Sequence, residues 1–200
     1  MKKKTFALLL SLVLVFGVVA GGTFAWLVDK SAEVKNTFTY GDINIDLTET
    51  LPENRQAKII PGVDIAKDPK VTVKANSEAC WLFVKVEETG DFVTGKVTYS
   101  VRTGDGNWTR GDGTKIPSNV YYREVNASTD AQDFYILTGK GNVIDDTYNG
   151  VINVSGELTK AEVNGIKTNP TLSFLAAAVQ KDNRTLDQAW TLAKGELGIN

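Results

Sequence analysis

Trp81-Leu82-Phe83-Val84-Lys85-Val86 is the stretch of sequence that decides the fold. A single lysine interrupts an apolar run of this kind, which is typical of a strand buried at the centre of a sheet. Shorter runs lie before and after it, separated by polar residues, glycines and prolines. Many short strands joined by polar turns predict an all-β protein, built as an antiparallel sandwich or barrel.

The other expected strands either alternate apolar and polar residues or form short apolar runs. Pro61-Gly62 and Asp68-Pro69 are turn signals that separate two of them. The full set of expected strands is 38–40, 43–47, 71–73, 81–86, 96–101, 120–125, 134–137, 151–154 and 171–179.

Two segments are predicted to be helical. Thr159-Lys160-Ala161-Glu162 has the spacing of a capping box, so a short helix is expected from there to Ile166. A second, amphipathic helix begins after Thr185 as N-cap and is expected to stop at Gly195. We expect this C-terminal helix to cover one end of the sandwich. Its apolar face consists of Leu186, Ala189, Trp190 and Ala193.

The first residues of the chain have the three parts of an export signal. Met1-Lys2-Lys3-Lys4 is basic, an apolar run extends from Thr5 to Ala20, and Thr23 and Ala25 form a small-x-small pair. Residues 1–25 are therefore predicted to be a signal peptide. Cleavage would fall between Ala25 and Trp26.

A retained membrane anchor is the alternative for this segment, because Thr5 to Val28 could reach across a bilayer. The pair Gly21-Gly22 ends the helix early, and no cationic cluster follows it to stop transfer. Both features favour cleavage and secretion. Residues 26–200 are then long enough for a single domain with a substantial core.

The charge and cysteine content restrict the class of protein. A formal net charge of −2 gives no electrostatic reason to bind nucleic acid. The single cysteine, Cys80, cannot form an internal disulfide and is expected to pack as a small apolar residue. An exported protein without disulfides fits the surface of a Gram-positive bacterium better than a eukaryotic secretory route.

The chain contains no histidine. Its absence excludes Ser-His-Asp and Cys-His catalysis, HExxH zinc sites and almost every common zinc geometry. Carboxylate chemistry and calcium binding remain open. No catalytic residue, cofactor or metal site is predicted, and we expect a protein that is not an enzyme.

The loop 104–113 contains two short motifs. Asp105, Asn107 and Thr109 have the odd spacing of a calcium loop, but Arg110 and Ile116 replace the required glycine and glutamate. Arg110-Gly111-Asp112 is an integrin-type tripeptide, which a glycine-rich hairpin tip explains equally well.

Aromatic residues are expected to pack rather than to bind a ligand. Tyr121 and Tyr122 should place one ring on each face of a sheet, one in the core and one on the surface. Trp190 on the C-terminal helix is expected to fill the core.

Four groups of residues occur in a characteristic order. They are Gly21 to Ala25 with Asp29, Asn36 to Phe38 with Gly41 to Ile45, Ile60-Pro61-Gly62 and Lys67 to Val71 with Trp81 to Val86, and Pro170 to Leu172 and Ala178 to Gln180 with Ala189-Trp190. Together they resemble the TasA/camelysin family of exported bacterial proteins with SipW-type signal peptides. The resemblance covers most of the chain. It implies a secreted jelly-roll β-sandwich with short helices, processed by a dedicated signal peptidase.

The resemblance further implies assembly by donor-strand exchange, in which the N-terminal strand of one subunit completes the sheet of the next. The arm would be residues 26–40. Its side chains at Trp26, Val28, Val34 and Phe38 would fill pockets along an open sheet edge of the neighbour. The simpler alternative is that residues 26–40 pair within their own sandwich.

We therefore expect a secreted structural protein that assembles with copies of itself into extracellular or biofilm matrix fibres. Its other partners would be the SipW-type signal peptidase and an accessory matrix or anchoring protein. One alternative is a monomeric cell-surface adhesin or binding module on the same fold. Another is a camelysin-like secreted metallopeptidase, which the missing histidines disfavour.

Overall fold

Strand β4 (Cys80–Thr89), which contains the apolar run of Trp81 to Val86, lies inside a four-stranded sheet. The computed structural model describes residues 42–49, 57–139 and 150–200. The predicted signal peptide and N-terminal arm, with the expected strand 38–40, lie outside the described residues. The described residues all belong to one compact unit of the chain.

The named strands and helices follow the predicted succession of short strands. The strands are β1 (Ile45–Thr48), β2 (Ile65–Ala66), β3 (Lys70–Val73), β4, β5 (Val97–Thr98), β6 (Thr109–Arg110), β7 (Val120–Val125), β8 (Gln132–Tyr135), β9 (Val151–Val154) and β10 (Thr171–Gln180). The helices are α1 (Lys160–Gly165) and α2 (Leu186–Glu196).

The strands form three sheets, with the orders β10-β4-β7-β6, β1-β3-β8 and β2-β9-β5. Every pairing between these named strands is antiparallel. The prediction of a mostly antiparallel β protein with β4 as a central strand is confirmed. Strand β4 pairs with β10 on one side and with β7 on the other.

Successive side chains of β4 point to opposite faces of the sheet, and both faces are covered by other parts of the protein. Leu82 and Val84 are fully buried in a cluster shared with Val71 and Val73 of β3, so two sheets pack face to face. Phe83 points the other way, into a second cluster shared with α2. A third, smaller cluster lies around β2, β9 and β5.

Helix α2 covers a sheet face and not an end of the sandwich, so that prediction is wrong. Ala189, Trp190 and Ala193 are buried against Phe83, as their spacing predicted, and the rings of Phe83 and Trp190 lie 5.6 Å apart. Thr185 is the N-cap as expected. The outer face of β4 is itself apolar, which attracts the helix to the face.

The predicted stop at Gly195 is also wrong. Helix α2 continues through Gly195 to Glu196, and the backbone N–H of Leu197 donates to Ala193. Leu197 is fully buried, and its packing offsets the cost of about 1 kcal/mol for a glycine inside a helix. The positive φ of 65° that ends the segment occurs at Gly198.

Smaller differences concern strand lengths and the tyrosine pair. The expected strand 96–101 is reduced to β5, and the expected strand 134–137 begins and ends earlier, as β8. Tyr121 and Tyr122 do lie on opposite faces, but both rings are half-buried, so the division into core and surface is wrong. Helix α1 has the predicted capping box at Thr159 and Glu162.

Candidate functional site

Strand β10 forms one edge of the four-stranded sheet. It pairs with β4 over its whole length in a continuous register from Thr171 opposite Thr89 to Gln180 opposite Cys80. In an antiparallel ladder, successive residues direct their backbone groups alternately to the two sides. In the part of the chain that the structure describes, no strand pairs with the side of β10 that faces away from β4.

The composition of β10 lacks the usual protection of a sheet edge. Its sequence, TLSFLAAAVQ, contains no charged residue, no proline and no glycine. Proteins normally blunt a free edge with lysine, proline, a bulge or a very short strand, because an unprotected edge accepts foreign strands. A strand of 10 residues without these devices is a template for strand addition.

The side chains of β10 are arranged to pack further apolar groups. Leu172 and Phe174 pack against the core cluster between the sheets, and Leu175 and Val179 pack against the cluster under α2. All four remain half-buried. Leu172 and Phe174 therefore form a row on one face of the sheet, and Leu175 and Val179 form a row on the other. A strand added beside β10 would cover the exposed part of both rows.

An open groove of about 820 Å³ begins beside the first residues of β10. Thr171 and Leu172 form one wall, and Ile65, Ile152 and Val163 are among the apolar residues that line the rest. The groove therefore offers apolar contacts beside the start of the edge strand β10.

One ion pair lies at this groove. The ammonium of Lys67 lies 2.9 Å from a carboxylate oxygen of Glu49, and both side chains are largely buried. Loss of either partner would leave a largely buried charge without its counter-ion, which is strongly destabilising. The pair therefore links residue 49 to Lys67, which follows β2 and lines the groove.

The residues that the sequence assigned to cleavage and strand donation lie outside the described residues. They are Ala25, Trp26, Val28, Val34 and Phe38. The acceptor edge was not predicted, although 171–179 was recognised as a strand. The uncharged sequence of β10 is the signal that could have identified it.

The tripeptide Arg110-Gly111-Asp112 is built into a tight turn. The carboxylate of Asp112 accepts backbone N–H groups of Thr114, Lys115 and Ile116 at 2.9, 2.9 and 3.1 Å. Hydrogen bonds from the Thr114 hydroxyl and from these N–H groups lower the pKa of Asp112 to about 2. The carboxylate therefore holds its own turn, as a structural reading of the glycine-rich loop predicts.

Cys80 and Trp190 have the predicted packing roles. Cys80 is fully buried, and burial raises the pKa of its thiol to about 11. A thiol with this pKa stays protonated and unreactive at neutral pH. Trp190 is buried on α2 beside Phe83.

The described residues contain no group of three or more acidic, cysteine or histidine side chains placed to hold a metal ion. Within those same ranges, no helix has the length and apolar character needed to cross a membrane. Comparison with family models, with curated proteins and with solved structures finds no match to this chain.

Proposed function

We propose that this chain is a secreted subunit of extracellular or biofilm matrix fibres, with a jelly-roll β-sandwich that assembles by donor-strand exchange. In this proposal, cleavage after Ala25 frees an arm, residues 26–40, that adds to the sheet edge of a neighbouring copy. Strand β10 is the acceptor. The observation that carries the proposal is the uncharged, unbulged edge of β10.

The chemistry of β10 matches that of the arm. Each hydrogen bond along an added strand contributes about 0.5–1.5 kcal/mol net. Each large apolar side chain that becomes buried adds about 1.5–3 kcal/mol. Trp26, Val28, Val34 and Phe38 are apolar, and the half-buried rows of β10 and the adjoining groove offer apolar contacts. Several such contacts in series make a stable link between subunits.

The arm lies outside the described residues, so its deletion removes no residue of the described sandwich. We expect the mature chain, beginning at Trp26, to form fibres in electron microscopy. A variant that lacks residues 26–34 should remain a folded monomer, because its β4 core is intact. Fibres of normal length and number from this deletion variant would contradict the proposal.

A synthetic peptide of residues 26–38 provides the matched test. Added in excess to the deletion variant, it should bind and protect the backbone amides of β10 from hydrogen exchange. A peptide of the same composition in scrambled order is the control, because it keeps the hydrophobicity but loses the register. Equal protection by both peptides, or by neither, would count against β10 as the acceptor.

A further inference from the structure

A second cleft, of about 550 Å³, opens between the β6–β7 pair and the segment around β5. Glu88 at the end of β4, Tyr99, Arg110 of β6 and Tyr121 of β7 are the largest polar side chains in its lining. Its volume falls within the range of about 300–1,000 Å³ that is usual for small-molecule sites. The cleft is mostly polar, in contrast to the groove beside β10.

Three of these side chains keep unused hydrogen-bonding capacity. Glu88 accepts the Tyr99 hydroxyl through Oε1 at 2.6 Å, and Arg110 donates from Nε to the carbonyl of Ser118 at 2.7 Å. Among the described residues, no hydrogen bond occupies Oε2 of Glu88, the terminal nitrogens of Arg110 or the hydroxyl of Tyr121. An acceptor, a forked donor and a hydroxyl therefore line one cleft.

Glu88 and Arg110 also influence the pKa values of the two tyrosines in the cleft. Burial raises the pKa of Tyr99 and of Tyr121, and the carboxylate of Glu88 acts in the same direction on both. The positive charge of Arg110 opposes this rise at both hydroxyls. Both phenols are therefore neutral at physiological pH and can donate as well as accept.

We propose that this cleft binds a neutral carbohydrate, as one or two sugar rings of an oligosaccharide. Neighbouring hydroxyls of a sugar need donors and acceptors in pairs, which the carboxylate of Glu88 and the guanidinium of Arg110 supply. The half-buried ring of Tyr121 offers an apolar surface to the C–H face of the sugar. Because one acidic and one basic side chain line the cleft, its net charge favours neither a strongly anionic nor a strongly cationic ligand.

The test is a calorimetric titration of the full chain with three probes: cellotriose, maltotriose and the trimer of N-acetylglucosamine. We expect saturable binding of at least one of them. Tyr121→Phe removes the hydrogen bond of a hydroxyl, and Glu88→Gln removes the charge that strengthens a hydrogen bond. Each variant should weaken the binding about tenfold. Tyr122→Phe is the matched control, because the ring of Tyr122 lies on the opposite face of the sheet, against Phe83. The affinity of this variant for the sugar should equal that of the unmodified chain.

Circular dichroism and thermal unfolding would show that the three variants fold alike. Weaker binding in both cleft variants, with unchanged binding in the Tyr122 variant, supports the proposal. Failure of all three probes to bind, or any other pattern among the variants, overturns it. The result does not depend on strand exchange, since the deletion of residues 26–34 leaves every cleft residue in place.

Discussion

The two edges of the four-stranded sheet have opposite character. Strand β10 at one edge has 10 uncharged residues in continuous register with β4. Strand β6 at the other edge has only two residues, and one of them is Arg110. The first edge has the length and composition that strand addition needs, and the second has two of the devices that prevent it.

The turn that follows β6 is tightly packed. Gly111 donates its N–H to Val120, and it packs so tightly that a Cβ there would lie 2.3 Å from the carbonyl oxygen of Pro117. Asp112 then accepts the N–H groups of the next turn. The two edges of this sheet therefore differ in composition: β6 is short, charged and followed by a tight turn, whereas no strand among the described residues pairs with the outer side of the long, uncharged β10.

The largest effect is expected when a lysine is introduced into one edge strand at a time and fibre assembly is compared. Ser173→Lys places an ammonium on β10 opposite Glu87, whose carboxylate makes the change tolerable in the monomer. A strand added beside β10 would have to desolvate that charge, so we expect fibre elongation to slow at least about tenfold. Light scattering of the mature chain measures the rate.

Thr109→Lys is the control for this change, because Thr109 is exposed on β6. Its elongation rate should equal that of the unmodified chain, with thermal unfolding unchanged in both variants. Equal slowing by both lysines would mean that general charge, and not the β10 edge, governs assembly.

The tight packing behind β6 leads to a prediction about stability. Gly111→Ala should lower the free energy of unfolding by about 1–3 kcal/mol, since the new methyl group collides with the backbone of Ile116 and Pro117. Denaturant unfolding measures the change. The control is Gly165→Ala at the end of α1, where a Cβ meets no atom within 4 Å. If both variants unfold at the same denaturant concentration, the packing at Gly111 does not stabilise the turn after β6.

The core of the fold could be predicted from the sequence, and the order of the strands could not. A nearly continuous apolar run identified β4 as central, and short stretches rich in valine, isoleucine and tyrosine predicted β7 and β9 with their observed bounds. The position of β10 at an edge depends on pairing between segments that lie far apart in the chain. No local pattern carries that information.

The same distinction between local and long-range information applies to the candidate sites. The capping box of α1 is a local motif, and it was predicted correctly. The polar cleft brings together Glu88 of β4, Arg110 of β6, Tyr121 of β7 and Tyr99, which follows β5, so each residue looked ordinary by itself. The sequence singled out Arg110 as part of a tripeptide and as a mismatch to a calcium loop, and its neighbours in the cleft appear only when the strands are assembled.

The smallest expected effect concerns the carboxylate that holds the turn after β6. Because the folded state lowers the pKa of Asp112 from 3.8 to about 2, its contribution to stability is complete above about pH 4. That contribution is lost as the pH falls through 4 towards 2, since protonation removes the charged acceptor of three N–H groups. Asp112→Asn should therefore reduce the loss of stability across this range, as measured by urea unfolding at pH 5 and pH 2.5.

Asp105→Asn is the matched control for the titration, because the side chain of Asp105 makes no hydrogen bond among the described residues. It should leave the acid dependence of unfolding unchanged. If Asp112→Asn leaves the acid dependence equally unchanged, the charge of Asp112 does not hold the turn. The turn after β6 would then depend on the packing of Gly111 and not on the charge of Asp112, and β10 would differ from β6 in fewer respects.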